Sequence, residues 1–239
     1  MLITFLMCTF CVAQENGVVT YTIAHNWSKK FASCEYISKA ERESHAYVWS
    51  SNNEWKEKAE LTFNATESRY DKKPDEDSRW RQDNDYFIYR DRANNETLEI
   101  MTLLNKDCAL RDSIVCQNWK IKNDMKEVAG HICMNASRYD SLKGKEVIAW
   151  FALDLPISAG PDRYCGLPGM ILEVNEANGA LVYTATSILF SEEKMEIKKP
   201  EVKKKRKIID IQEYNRIVSK FMEECKKMQR PYFWYDMDF

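Results

Sequence analysis

The sequence predicts a mainly β fold of the α+β class, in which a curved antiparallel sheet packs against one C-terminal amphipathic helix. Strand-like runs of β-branched and aromatic residues recur at short intervals through the 239-residue chain, without intervening helices. This spacing is typical of an antiparallel sheet, because parallel strands need long crossover connections. Near residues 210–229 the apolar side chains take helical spacing instead, and this helix is expected to lie on the sheet.

The N-terminal segment predicts export. Residues 1–13 carry no charged side chain, and residues 3–12 form a nearly continuous apolar run that ends just before Ala13. This pattern is typical of a secretory signal peptide, and the run is too short to cross a bilayer as a helix. A buried N-terminal strand is the alternative interpretation. We therefore expect residues 1–13 to be a signal peptide and residues 14–239 to be one β-rich domain, located in the periplasm or cell envelope or secreted.

Nine segments have the composition and rough alternation of strands on a half-buried sheet. They are residues 18–23, 59–65, 86–89, 98–104, 118–124, 130–139, 146–153, 170–174 and 180–190. Two other stretches are less regular. Residues 70–84 are rich in charge and predict a loop, whereas residues 39–58 fit either a short helix or a strand.

The C-terminal half contains two specific local signals. Asn178-Gly179 stands between two apolar runs and predicts a hairpin, since both residue types accept the positive φ of a tight turn. We expect residues 170–174 and 181–188 to pair across it. Apolar residues then follow helical spacing over 211–228, after the capping-box pair Asp210 and Glu213.

Residues 160–169 hold three of the seven glycines and two of the six prolines. A phosphate cradle would need glycines at Rossmann or P-loop spacing that open a helix, but a strand pattern follows here. The stretch instead predicts a type II turn, with Pro168 at the second position and Gly169, at positive φ, at the third. The alternative is a loop that contacts a ligand through bare backbone, formed by Gly166, Leu167, Pro168 and Gly169.

The cysteine content indicates disulfides. Six cysteines remain after the predicted cleavage, and an even number in an exported protein is typical of disulfide pairing. No Cys-x-x-Cys pair occurs, so neither a zinc knuckle nor a thioredoxin-type site is supported. Cys108 and Cys116 are close enough in sequence to close a local loop. The six are Cys34, Cys108, Cys116, Cys133, Cys165 and Cys225.

A basic run begins at Lys198 and ends at Lys207, with seven cationic residues and one glutamate among ten. Such a run can contact phosphates, anionic lipid headgroups or acidic glycans. The alternative is a solvated connector or a Lys-protected edge strand. Because no aromatic residue interleaves the run and an exported protein rarely meets nucleic acid, we predict no nucleic-acid partner and regard contact with a membrane surface as possible.

Four segments, taken in chain order, resemble the GLPGLI family of exported bacterial proteins. Residues 166–174, "GLPGMILEV", are similar to the signature that names the family, with Met170 in place of its Leu. Residues 61–70, 118–137 and 149–161 are similar to further family stretches. The resemblance implies a small β-rich envelope protein without an established activity, with a fold similar to periplasmic lipoprotein carriers. Within this comparison Cys165, directly before the signature, is a candidate partner for Cys133.

The predicted function is a non-catalytic binding or partner-docking module. A curved sheet with more aromatic residues than one helix can cover would leave an apolar groove for a lipid, a peptide or an envelope protein. Trp119, Trp150 and Phe151 are the aromatic candidates for this groove. An ordinary filled core is the alternative. No cofactor is predicted, and the oligomeric state stays open.

An enzyme and a metal-handling protein are the competing predictions. The three histidines are scattered, and neither a nucleophile-elbow nor a zincin motif is present, so a hydrolase would need a site assembled only in space. A metal site would use His131 and Cys133, which strand alternation sends to the same face. An oxidising compartment would instead favour Cys133 as a disulfide partner.

Overall fold

The computed structural model describes residues 16–50, 54–73, 86–193 and 195–234, and it confirms the predicted mainly β class. Its twelve strands form one open, curved sheet in the order β12-β6-β5-β4-β3-β2-β1-β11-β10-β9-β8-β7. The predicted signal peptide, residues 1–13, lies outside the described residues, as does most of the predicted charged loop, residues 74–84.

The strands of the sheet are short to medium in length. They are β1 (Gly17–Asn26), β2 (Glu54–Phe63), β3 (Glu67–Lys73), β4 (Phe87–Asp91), β5 (Glu96–Leu103), β6 (Lys106–Ser113), β7 (Lys120–Val128), β8 (His131–Asp140), β9 (Lys145–Ala152), β10 (Met170–Glu176), β11 (Leu181–Phe190) and β12 (Lys207–Ile209). The α-helices are α1 (Trp27–Ala32), α2 (Lys39–Val48) and α3 (Ile211–Met228), and a 3-10 turn follows at Tyr232–Trp234.

Two antiparallel meanders build the sheet, β1 to β6 and β7 to β11. They join where β1 pairs with β11, in a register that places Ile23 opposite Tyr183. β12 is the exception, since it runs parallel to β6, with Ile209 opposite Leu110. The sheet is therefore mixed rather than purely antiparallel, because the chain must cross from β11 to the far edge before α3 begins.

The inward faces of both meanders share one apolar core. Along β1, Val19, Tyr21 and Ile23 are buried while the alternate residues are half-buried, as the two-residue period of a strand requires. The Tyr21 hydroxyl donates to the Ile171 carbonyl of β10 at 2.7 Å, across the intervening strand. The curvature of the sheet brings these strands over a common interior.

A smaller apolar cluster lies on the outer face of β4 to β6, under the segment that precedes β12. Ile197 of that segment is buried against Tyr89, Leu98 and Ile100. The basic run of residues 198–207 follows directly, and its Lys199 ammonium pairs with Glu96. The run thus connects β11 to β12 across this face, and its contact with a membrane surface stays a prediction.

Helix α3 forms where the periodicity predicts it. The Asp210 side chain accepts a hydrogen bond from the Glu213 backbone N–H at 2.7 Å, which caps the first turn. Tyr214, Val218 and Met222 are buried along one face, so the helix packs on the interior through the predicted stripe.

The ambiguous stretch at residues 39–58 contains both predicted alternatives in succession. It forms α2 first, capped by the Ser38 side chain, and then the start of β2. Sequence patterns missed the short α1 and the strands β3 and β6. β12 begins at Lys207, the last residue of the basic run, and lies at the edge of the sheet, which agrees with the alternative of a Lys-protected edge strand. The second half of β3 lies in the predicted charged loop because it contains Asp71, Lys72 and Lys73, although Ser68 and Tyr70 alternate into the interior.

The predicted hairpin between β10 and β11 is confirmed, with Glu176 opposite Leu181. Its turn is longer than a two-residue loop. Ala177, Asn178 and Gly179 all have positive φ, at 47°, 54° and 87°. The Asn175 side chain accepts from the Gly179 N–H at 2.6 Å and closes the turn.

The predicted conformation of the Gly-Leu-Pro-Gly stretch is wrong at Gly169. The residue with positive φ is Gly166, at 94°, and Gly169 is outside that region. Gly169 is needed for a different reason, because a Cβ atom there would lie 2.0 Å from the Ala152 carbonyl oxygen. The stretch is a close-packed entry to β10, where two backbone segments touch.

We expect Gly169→Ala to lower the free energy of unfolding by about 2 kcal/mol or more, because the new methyl group overlaps backbone that cannot rotate away. Pro168→Ala is the matched control, since Pro168 is exposed and its loss mainly increases unfolded-state entropy. Its cost should stay below about 1 kcal/mol. Urea unfolding of both variants decides the matter, and equal stabilities would contradict the close-contact explanation.

Candidate functional site

A polar cavity of about 710 Å³ lies between the inner face of β4 to β6, the connection from β9 to β10, and helix α3. Its wall is unusually rich in charged groups for the inside of a β fold. The charged residues that line it are Arg90, Glu99, Arg138, Asp140, Lys143, Asp162 and Arg163. We refer to this cavity as the cleft.

The β9–β10 connection, residues 153–169, brings three polar residues into the cleft: Asp162, Arg163 and Tyr164. It is fixed by backbone bonds, such as Ile171 N–H to the Ala159 carbonyl at 2.8 Å. Gly160 is required where the connection crosses β10, since a Cβ there would lie 2.8 Å from the Ile171 Cβ. The connection is therefore rigid, and it positions charged side chains just upstream of the Gly-Leu-Pro-Gly stretch.

A disulfide between Cys116 and Cys165 ties this connection to the segment that follows β6, with 5.1 Å between the two Cα atoms. Hydrogen bonds reinforce the tie. Gln117 donates to the Arg163 carbonyl at 3.0 Å and accepts from the Cys165 N–H at 3.1 Å. The Trp119 indole N–H donates to the Cys165 carbonyl at 2.8 Å. Residues 163–165 are thus held rigidly beside the cleft.

Both predicted disulfide pairings are wrong, although the prediction of at least one disulfide is confirmed. Cys108 cannot reach Cys116, because β6 extends to Ser113 at roughly 3.3 Å per residue and carries them apart. Cys133 is buried on β8, and its proposed partner Cys165 is already bonded to Cys116. Cys34, Cys108, Cys133 and Cys225 are free and buried.

The Asp162 carboxylate joins the two meanders. It accepts hydrogen bonds from the Tyr86 hydroxyl, directly before β4, and from the Tyr183 hydroxyl of β11 at 3.0 Å. Burial and the nearby Asp162 charge both raise the pKa of Tyr86, so this hydroxyl keeps its proton and remains a donor. Asp162 has a positive φ of 52°, which turns its side chain inward from the connection.

The half-buried Arg163 and the buried Glu99 form an ion pair in the cleft wall. The Arg163 Nε lies 2.7 Å from a Glu99 carboxylate oxygen. The guanidinium also lies over the Tyr214 ring of α3, with 4.1 Å to its centre. This stacking couples the helix to the β9–β10 connection, and the planar guanidinium is suited to making both contacts.

A second ion pair, Lys145 with Glu176, lies at the ends of β9 and β10. The Tyr164 hydroxyl donates to the same carboxylate, and the Lys145 ammonium donates to the Tyr232 hydroxyl at 3.3 Å. Burial disfavours the Glu176 charge, but the Lys145 ammonium outweighs this and, with Lys143, lowers the pKa of Glu176 to about 2. The carboxylate is therefore ionised at neutral pH.

Near this ion pair lies a second set of interacting titratable groups, formed by Lys30, His25 and Glu57. The Lys30 ammonium lies 2.8 Å from His25 Nδ1, and His25 Nε2 lies 3.1 Å from a Glu57 oxygen. Burial lowers the pKa of Lys30 to about 7, and the nearby Lys145 charge adds to this effect. Lys30 is thus close to losing its proton at physiological pH.

The structure does not bring the seven predicted site residues together. Phe151 and Leu167 belong to the apolar core. Trp150 lies on the opposite face of β9 from Phe151, where the Lys126 ammonium sits 4.5 Å from the centre of its ring. Trp119 is the aromatic candidate that borders the cleft region, through Cys165. Gly166, Pro168 and Gly169 shape the backbone beside it.

The amino-acid sequence did not lead us to predict the charged residues of the cleft as site residues. Asp162 and Arg163 stand inside "GPDRYC", where charge between two rigid turns was the available signal. Glu99 and Arg90 interrupt apolar strands at positions that alternation assigns to the interior, which is a second signal. Neither pattern indicates which charges meet in space.

The proposed metal ligands have other contacts. His131 Nδ1 lies 2.7 Å from an Asp154 oxygen, and the Cys133 thiol points to the His131 carbonyl at 3.6 Å. Within the described part of the chain, no group of three or more His, Cys, Asp or Glu side chains is arranged to hold a metal ion. The helices of that part include none that is long and apolar enough to cross a membrane.

One protein family matches a short part of the chain. The family described as "Protein of unknown function (Porph_ging)" matches residues 137–173, which run from the end of β8 through β9 and into β10. This range contains Asp162, Arg163, Tyr164 and the Gly-Leu-Pro-Gly stretch. The name GLPGLI itself stays a resemblance. The comparison with curated proteins gives no significant match.

Two solved structures of PNGF-II, in space groups P21 and C2, are similar in fold. They have TM-scores of 0.53 and 0.52 at 14% and 15% identity. Each match covers 85% of this chain but only 33% and 32% of the other, so the chain spans about a third of those structures. At this identity the likeness concerns the fold alone.

We expect alkylation of the denatured, unreduced protein to label Cys34, Cys108, Cys133 and Cys225 and to leave Cys116 and Cys165 unlabelled, because among the six described cysteines only these two are bonded. Peptide mapping by mass spectrometry assigns each site. Prior reduction is the control and should expose both remaining thiols. A labelled Cys165 in the unreduced sample would contradict the pairing.

The lowered pKa of Lys30 predicts a pH-dependent stability. Between about pH 7 and pH 10 the unfolded chain holds a proton that the folded chain has released, so the contribution of Lys30 to stability rises with pH. Its burial penalty is fully present below pH 7. Lys30→Met removes this titration, so its free energy of unfolding relative to wild type should fall as the pH rises through this window.

Lys29→Met is the matched control, because Lys29 is exposed on the same helix. Urea unfolding of the three proteins at pH 7, 8.5 and 10 measures the effect. A difference between Lys30→Met and wild type that stays constant with pH would contradict the assignment.

Proposed function

We propose that this chain is an exported, non-catalytic binding module of the cell envelope, and that the cleft binds a polar peptide segment. The observation that carries the proposal is the cleft itself, whose volume of about 710 Å³ lies in the range of ligand sites. Peptide is preferred over an apolar ligand because the wall offers many hydrogen-bonding groups. Besides the charged residues, these include Ser113, Gln117, Asn118, Ser141, Asn215 and Ser219.

The lining suits a peptide backbone, which presents both N–H donors and carbonyl acceptors. Asp140 and Asp162 supply acceptors, while Arg138 and Asn118 supply donors. The Cys116–Cys165 bond and its hydrogen bonds hold one wall rigid, which lowers the entropy lost on binding. The disulfide is compatible with export, since such bonds persist in oxidising compartments.

The test is an NMR titration of the disulfide-bonded protein with the tripeptide Ala-Ala-Ala, used as the free acid and as the C-terminal amide. We expect saturable shifts of the backbone signals of Asn118, Asn215 and Ser219 with at least one probe. Ser219→Trp should weaken this binding by about tenfold or more, because the indole fills the cleft. Gln212→Trp, exposed on the same helix and outside the lining, is the matched control.

Two outcomes would contradict the proposal. In one, neither tripeptide shifts the cleft signals. In the other, palmitate shifts them saturably while the tripeptides do not, which would favour an apolar ligand.

A further inference from the structure

Arg90 is a buried cation that forms no ion pair with the side chains of the described residues. It lies on β4, points to the interior and is 5% exposed, yet its side chain lines the cleft. Its Nη1 donates to the Asp162 backbone carbonyl at 3.3 Å. Among the described residues, the Asp162 carbonyl is the hydrogen-bond partner of the Arg90 side chain, and no carboxylate forms an ion pair with Arg90.

The nearby carboxylates are committed to other partners. Glu99 is bound by Arg163 at 2.7 Å, and the Asp162 carboxylate accepts from two tyrosine hydroxyls. The Asp140 Oδ2 atom lies 3.6 Å from Arg138 Nη2. Burial lowers the pKa of Arg90, while the charges of Glu99 and Asp162 oppose this shift from a longer range. The guanidinium therefore keeps unused donors next to an accessible volume.

A guanidinium in such surroundings favours a planar anion. It presents five donors in a rigid fork that matches the two oxygens of a carboxylate, and pairing offsets the desolvation of a buried charge. We propose that Arg90 binds the C-terminal carboxylate of the peptide ligand, an inference that rests on the proposed function. The assignment makes the cleft specific for peptide ends rather than for internal segments.

The charge of the surroundings favours a carboxylate over a phosphate. Three carboxylates (Glu99, Asp140 and Asp162) and four cations (Arg90, Arg138, Lys143 and Arg163) line the same cleft, so one positive charge is in excess. A monoanion neutralises this excess, whereas a dianion would leave the cleft with a net negative charge. The same acceptors are suited to the backbone N–H groups that precede a peptide carboxylate. A guanidinium beside several hydrogen-bond acceptors is therefore the arrangement that a chain terminus fits.

The first test uses wild-type protein alone, and compares the dissociation constants of Ala-Ala-Ala as the free acid and as the C-terminal amide by NMR titration. We expect the amide to bind about tenfold more weakly or worse, since it cannot pair with Arg90. Inorganic phosphate and acetate at equal ionic strength serve as competitors. Acetate should displace the free acid of Ala-Ala-Ala more effectively than phosphate does.

The second test uses variants. Arg90→Gln should remove the preference for the acid, whereas Arg90→Lys should retain part of it because the charge remains. Arg111→Gln is the matched control, since Arg111 is exposed on β6 and does not line the cleft. Should Arg90→Gln fail to fold, the comparison of acid and amide on the wild type still decides.

The results separate this inference from the proposed function. Equal binding of acid and amide in the cleft would overturn the role of Arg90 and leave the peptide-binding proposal intact. The same holds for stronger competition by phosphate than by acetate, or for an unchanged acid preference in Arg90→Gln. Absence of binding by both tripeptides would overturn both proposals.

Discussion

The architecture depends on one half-buried carboxylate that connects the two meanders. Asp162 accepts hydrogen bonds from Tyr86 in the first meander and from Tyr183 in the second, while its backbone carbonyl accepts from Arg90. A curved sheet leaves its inner end open to solvent unless something covers it. The β9–β10 connection covers that end, and Asp162 fixes the connection to both sides of the sheet.

Placing charged residues in the interior of the sheet costs desolvation free energy, which ion pairs and hydrogen bonds offset. A buried charge is tolerated when it is paired and hydrogen-bonded. Glu99 with Arg163, and Glu176 with Lys145, meet this condition. Arg90 and Lys30 meet it only in part. Arg90 faces the cleft, where a ligand can pair with it, and the lowered pKa of Lys30 allows this residue to release its proton.

Rigidity of the cleft wall has two separate sources. The disulfide and the hydrogen bonds of Gln117 and Trp119 fix residues 163–165 from one side. Close contacts at Gly160, in the middle of the connection, and at Gly169, at its end, hold the same segment in place. A preformed wall suits binding, because a ligand need not order it. The exposed groups on α3, such as Asn215, complete the cleft from a separate element.

Elements whose signals are local could be predicted from the amino-acid sequence. The alternation along β1, the Asn178-Gly179 turn and the capped stripe of α3 were all predictable, because each depends on residues within one turn or one strand. The disulfide pairing, the role of Gly169 and the composition of the cleft were decided by tertiary structure. Cys116 meets Cys165, and Gly169 meets Ala152, only because the sheet curves and the β9–β10 connection folds back across it. Strand alternation in the sequence indicates that Arg90 and Glu99 face the interior. Which residues they contact there depends on the curvature of the sheet.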